Sequence, residues 1–491
     1  MKTAIRNVQI IDGTGARSRQ GDVLIDDGRI ASVGDVTGSV DESIDGTELA
    51  LAPGFVDVHT HDDGALIEHP DMGFKLSQGC TSVVIGNCGF SIFPAVPGER
   101  TLDLSGSMAA WSDLGEFAGV VEGVRPAVNT MALVGHNSIR SLVMGSERRP
   151  PNDAELAVMQ GHVEHAMEQG ACGFSTGLIY RPGRWADTDE IIALAQMVQP
   201  FGGLYATHMR NEGDRLLEAV DEAIEISRAA GAPLQIAHHK SAGRANWGKV
   251  GESLAKVEAA VAAGADITLD VYPYTAGSGP MIQYFDLDNP DPVLAAAIQL
   301  ASCPSFPEYE GRMLTDVAKE RGITAPEAVR LVLTTEGGKG TICIQHVMDE
   351  ADVVTNLQHD LVMVGSDGLP ELSGRPHPRL FGTFPRVLGR YVRDQGVLSI
   401  EEAVRRMTSL SCDRFGFVDR GRIVAGGHAD LVLFDPRTVA DLATYEDPKV
   451  ESAGIAKVWV NGELSFDAGR RDSKASAHTG VGAGRFLRYR R

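Results

Sequence analysis

The residues of this chain best suited to chemistry are two histidines in Phe55-Val56-Asp57-Val58-His59-Thr60-His61-Asp62-Asp63. In a strand, side chains at i and i+2 share a face. His59 and His61 therefore project together where an apolar run gives way to a polar loop. Two neutral imidazoles on one face can hold a divalent metal. Alone, the pair is a short pattern that chance also produces, so a metal site needs further ligands. Cys88 before Gly89, His136, His208, the pair His238-His239, and Asp367 before Gly368 are the candidates. Only one of His238 and His239 can point inward, because neighbours in a strand alternate. Each candidate also has a plain alternative: a packed thiol for Cys88, a satisfied core residue for His136, a turn residue for Asp367.

The elements that would position these side chains are legible in the hydrophobic pattern. Strand candidates fall at 55–61, 81–88, 129–136, 171–176, 203–209, 233–239, 266–272 and 360–366. Helical patterns alternate with them, and those from Asn152, Gly213 and Val250 each stop at a glycine, as helix C-termini commonly do. Eight such units predict an α/β fold of the (β/α)8 TIM barrel type, whose functional residues gather at the C-terminal ends of the strands. His59, His61, Cys88, His208, His238-His239 and Asp367 all fall at that end. Their joint placement points to a metal site more strongly than any one of them.

The barrel is expected over 55–414. Residues 1–54 and 415–475 read as short strands with hairpin turns, so both termini are expected to build one small β-sandwich domain. An insertion at about 275–345, proline-rich with a helical stretch near 312–334, follows strand 7 and is a candidate cover for the barrel mouth. Residues 476–491 read as an extended C-terminal arm. The balance of 45 Lys+Arg against 66 Asp+Glu, a net charge of −21, argues against nucleic acid and anionic membranes as partners. The six cysteines form no CxxC pair, which argues against a disulfide framework. No signal-like h-region and no run of ~18 apolar residues is present, so the cytoplasm is the expected compartment.

The motifs Ala52-Pro53-Gly54-Phe55-Val56-Asp57-Val58-His59-Thr60-His61, Gly86-Asn87-Cys88-Gly89, His208-Met209-Arg210, His238-His239-Lys240, Tyr272-Pro273-Tyr274, Ser366-Asp367-Gly368 and Gly382-Thr383-Phe384-Pro385-Arg386 follow one another along the chain. Together they resemble the D-aminoacylase (N-acyl-D-amino-acid deacylase) family of the amidohydrolase superfamily. The resemblance implies zinc, one or two ions per chain, and hydrolysis of N-acyl-D-amino acids. It makes Cys88, His208 and His238 the ligands of one zinc. His59, His61 and Asp367 would form a second, weaker position, with Cys88 as the candidate bridge. By the same resemblance Asp367 is the general base and then acid. Lys240, Arg379, Tyr180, Tyr272 and Ser278 would bind a small-molecule substrate with a free carboxylate.

The chain departs from the family pattern at Gly279-Pro280 after Ser278 and at Arg181 after Tyr180. Arg181 is either an extra cation for acidic substrates or a solvent-facing residue. The alternatives within the same chemistry are a D-dipeptidase and a cyclic amidase such as a hydantoinase. The alternative outside it is a silent scaffold, against which the full complement of ligands speaks.

Overall fold

A computed structural model describes residues 1–95, 111–473, 477–479 and 482–490. The N-terminal strands are β1 (Thr3–Ile10), β2 (Arg19–Asp26), β3 (Arg29–Gly34), β4 (Glu42–Asp45) and β5 (Ala50–Pro53). The barrel strands follow as β6 (Phe55–Asp57), β7 (Cys80–Ile85), β8 (Asn129–Gly135), β9 (Gly173–Gly177), β10 (Leu204–His208), β11 (Leu234–Ile236) and β12 (Ile267–Val271). The insertion carries β13 (Gly277–Pro280), β14 (Ile298–Ser302) and β15 (Ile342–Gln345). The eighth barrel strand is β16 (Val362–Val364), and β17 (Leu431–Phe434), β18 (Ile455–Val460) and β19 (Glu463–Asp467) complete the terminal domain.

Strands β6 to β12 and then β16 lie side by side, all parallel. Every residue in them is buried, as expected of parallel strands covered on both faces. The sheet closes through the segments just beyond β6 and β16. Asp367 N donates to His59 O at 2.8 Å, His61 N donates to Gly368 O at 3.3 Å, and Thr60 bridges Gly368. Closing the barrel therefore brings the two-histidine stretch against Asp367. His59 and His61 lie past the end of β6 rather than inside it. Asp57 accounts for the change, since its carboxylate accepts from both His59 N (3.4 Å) and Ser366 N (2.8 Å).

The helix Asp153–Glu168 starts from a capping box made by Asn152 and Glu155, a pairing that satisfies two otherwise unpaired backbone donors. The helix Leu216–Ala230 ends at Gly231, whose φ of 66° is left-handed. In the insertion, β13, β15 and β14 form an antiparallel sheet under a separate core that includes Phe285, Leu300, Leu314, Val329 and Leu333. The helical stretch expected near 312–334 is two helices, Leu314–Arg321 and Ala325–Thr334. Gly322 breaks it at φ 66°, and Thr324 opens the second helix with a capping box.

Strands from both ends of the chain form one sheet in the order β19-β18-β17-β5-β1-β2-β3, with β4 also on β1. β1 divides its pairing, Thr3–Arg6 to β4 and Gln9–Ile10 to β5. The sheet packs around Ile5, Val23, Leu51, Leu431 and Trp459. Gly54 joins this domain to the barrel, and a Cβ there would meet the Thr81 side chain at 2.2 Å. Of the C-terminal arm, residues 482–490 run beside β8: Arg485 O accepts from Thr130 N at 2.9 Å and Leu487 N donates to Thr130 O at 2.7 Å. Among the described residues no helix is long and apolar enough to cross a membrane.

Candidate active site

Cys88, His238 and Asp367 follow the C-terminal ends of β7, β11 and β16, and all three have left-handed backbones, with φ of 54°, 33° and 51°. That conformation costs a non-glycine residue about 1–3 kcal/mol and clusters at functional sites. Here it ends the strand alternation and lets the three side chains converge. Cys88 Sγ is 3.2 Å from His59 Nε2 and 3.4 Å from His238 Nε2. Asp367 Oδ1 is 3.1 Å from His61 Nε2 and 3.5 Å from His59 Nε2. Three sets of buried donor atoms each lie within 4.8 Å of one another: His59, His61 and Cys88; Cys88, His208 and His238; His59, His238 and Asp367. Cys88, His59 and His238 each belong to two sets, so the donors describe adjoining positions that share ligands.

The donor chemistry fits a metal such as zinc, which takes thiolate, imidazole and carboxylate together. Neither ring nitrogen of the buried His208 has a hydrogen-bond partner, and coordination through one of them would halve that deficit. Burial pushes the thiols of Cys80, Cys172, Cys343 and Cys412 up. It pushes on Cys88 too, but the charges of His59 and His238 outweigh it and hold this thiol well below its usual range. Burial lowers His61, while the hydrogen bond to Asp367 and the Cys88 charge bring it up to about 9. In the metal-free chain these protons supply the positive charge, and metal binding would displace them.

Asp367 is desolvated, yet Arg379 and then His59 hold its carboxyl well below the usual range. Arg379 Nη1 is 2.9 Å from Asp367 Oδ2, Nη2 donates to Ser278 O at 3.1 Å, and the guanidinium stacks 4.5 Å from the centre of the Tyr272 ring. Ser278 Oγ is buried without a partner. The Tyr180 ring lies 4.6 Å from that of His208, and its hydroxyl is 3.2 Å from that of Tyr284. Lys240 is paired with Glu212 and also donates to His238 O at 2.8 Å.

The amidohydrolase family pattern matches residues 42–307 and 339–466. D-aminoacylase of Alcaligenes xylosoxydans xylosoxydans is 42% identical over 484 residues, 97% of this chain and 96% of that protein. N-acyl-D-glutamate deacylase of the same organism is 41% identical, over 93% of this chain and 92% of that one. The structure of N-acyl-D-glutamate deacylase from Bordetella bronchiseptica, described as complexed with zinc and a phosphonate mimic of the tetrahedral intermediate, superposes with a TM-score of 0.91 at 38% identity, covering 99% of both chains. This chain belongs to the D-aminoacylase branch of the amidohydrolase family.

Several side chains near the site of this amidohydrolase fall outside the expected set. His239, left open with His238 by the strand period, faces outward to Asn356 Oδ1 and Ser253 Oγ, both at 2.7 Å. Burial lowers its pKa to about 4. His136 pairs with Glu190 at 2.8 Å and belongs to none of the three donor sets. Arg181 turns to the insertion, where its Nη1 donates to Ile282 O at 3.3 Å and its N to Gln283 Oε1 at 3.0 Å.

Three groups escaped the sequence reading. Glu212 lies beside His208, His238 and Lys240. Asp270 Oδ1 accepts from His238 N at 2.8 Å and lies 3.2 Å from His59 Nδ1. Lys75 is wholly buried between Asp57 (2.7 Å), Asp62 (3.2 Å) and Ser366 Oγ (3.1 Å). The one available signal was the spacing of Glu212, four residues after His208.

Proposed function

We propose that this amidohydrolase is a zinc-dependent N-acyl-D-amino-acid deacylase, hydrolysing the amide to a carboxylate and a free D-amino acid. The observation that carries this reading is the contact between Arg379 and Asp367, which sets a buried cation for a substrate carboxylate directly beside the metal-competent donors. The named activities of the relatives and the zinc of the Bordetella bronchiseptica structure support it. Cys88, His208 and His238 would hold one ion, with His59, His61 and Asp367 offering a second position. A bound zinc supplies Lewis acidity and brings the pKa of water down to about 7.

Asp367 is then the group that takes a proton from the attacking water at a carboxylate oxygen and returns it to the leaving nitrogen. The Arg379 fork suits a planar carboxylate, with the unpaired Ser278 Oγ as a further donor. Tyr272 backs Arg379, and Lys240 adds a second cation at the rim. Tyr180, Phe90 and Leu369 form an apolar wall beside Cys88, and Arg181 is spent on the insertion. That wall favours substrates with apolar over acidic side chains. Asp367→Asn tests the assignment: turnover is lost while the fold stays intact. Rates near those of the wild type would remove Asp367 from the mechanism.

A further inference from the structure

We infer that Tyr284, carried to the site by the insertion, is a specificity-determining residue that limits the size of the substrate's D side chain. The inference rests on the deacylase reading above. The two places where the chain departs from the family pattern, Gly279-Pro280 and Arg181, meet at this tyrosine. β13 brings Ser278 O to the Arg379 guanidinium. The chain then turns at once, with Pro280 leading into the single helical turn Met281–Tyr284. That turn lays the Tyr284 ring back over β13. A Cβ on residue 279 would lie 2.1 Å from the Tyr284 hydroxyl oxygen and 3.1 Å from its Cζ, well inside the separation that non-bonded atoms tolerate. Glycine at 279 is what leaves the ring its place.

Arg181 fixes the same turn from the barrel side. Its Nη1 donates to Ile282 O at 3.3 Å, its Nη2 to Phe285 O at 3.5 Å, and its backbone N to Gln283 Oε1 at 3.0 Å. The two carbonyls flank Tyr284, so its backbone is held on both sides. The Tyr284 ring centre lies 6.0 Å from that of Tyr180, and the two hydroxyls are 3.2 Å apart. The ring joins the wall of Phe90, Tyr180 and Leu369 beside Cys88, and is only half-buried where those three are buried. Its hydroxyl is engaged by Tyr180, so what it offers a substrate is bulk rather than a polar contact. With the carboxylate on Arg379 and the amide at the metal-competent donors, the α-carbon has its side chain left to set against this wall. Tyr284 is where that space ends.

The test uses the full zinc-loaded chain and the ratio of kcat/KM for N-acetyl-D-tryptophan to that for N-acetyl-D-alanine, in which losses common to both substrates cancel. Tyr284→Ala is expected to raise this ratio about tenfold or more, the scale on which an apolar pocket discriminates by size. Tyr284→Phe, which restores the ring, is expected to return the wild-type ratio. Arg181→Met, which frees the turn, is expected to raise the ratio by a smaller factor, and decides the matter if Tyr284→Ala does not fold. An unchanged ratio in Tyr284→Ala, or in Arg181→Met standing in for it, would overturn the role of Tyr284. So would a Tyr284→Phe chain that behaves as Tyr284→Ala, or a gain confined to longer acyl groups on D-alanine. No hydrolysis of either substrate by the wild type would overturn the function reading itself, and this inference with it.

Discussion

Arg379 Nη1 lies 2.9 Å from Asp367 Oδ2, and the arginine side chain is completely buried. The expected substrate anchor and the expected proton carrier are thus in direct contact. In water such a pair is worth little, but a buried pair is costly to break, because the remaining charge is left without a partner. On the proposed function, the contact would tie substrate binding to the state of Asp367. A substrate carboxylate bound there would compete for the cation that holds the Asp367 carboxyl low.

Arg379→Ala should therefore lower kcat/KM for N-acetyl-D-amino acids by about two to three orders of magnitude, the range for truncating one partner of a buried charge pair. An analogue whose α-carboxylate is replaced by an amide should lose much less from the same substitution. Equal losses for the two substrates would contradict a carboxylate-binding role for Arg379.

Cys88 is held toward its thiolate form, whereas burial pushes Cys80, Cys172, Cys343 and Cys412 up. A thiolate is the reactive form. After chelation, iodoacetamide should modify Cys88 ahead of these four, and restored zinc should protect it. Mass spectrometry of the labelled peptides reads the outcome. Modification of Cys88 at the same rate with and without zinc would count against the thiol as a ligand.

Lys75 balances Asp57 and Asp62 in a site with no solvent exposure. Lys75→Met removes the cation and leaves both carboxylates. The expected loss is about 3–5 kcal/mol of stability, the cost of leaving a buried charge unpaired, read by chemical denaturation of the metal-free chain. A change within about 1 kcal/mol would show that the two aspartates do not depend on Lys75.

The barrel was legible because its strands are short buried runs separated by amphipathic helices that end at glycines such as Gly231. The six nominated residues could be singled out because histidine, cysteine and aspartate recur at the same end of successive strands, and the structure brings their donor atoms within 4.8 Å of one another in three sets. Their backbone geometry was not: nothing in the pattern indicates that Cys88, His238 and Asp367 adopt positive φ. The orientation of His238 against His239 was equally closed to a two-residue period, since that period treats either as the inward one. Glu212, Asp270 and Lys75 were hidden for a related reason. Asp270 and Lys75 meet partners across the barrel, as Lys75 Nζ does at Ser366 Oγ (3.1 Å), and sequence spacing carries no record of such neighbours; Glu212 left only its four-residue spacing from His208. Arg181 was visible as a departure, but only the insertion's carbonyls show where its charge is used.

The most direct test is a paired assay of the purified chain, metal content together with hydrolysis of matched N-acetyl-D- and N-acetyl-L-amino acids, with and without chelator. One or two zinc ions per chain are expected, with hydrolysis confined to the D series, loss of activity on chelation and its return with zinc. Full activity in the chelated, zinc-free chain, or no hydrolysis of any D substrate by the zinc-loaded chain, would contradict it.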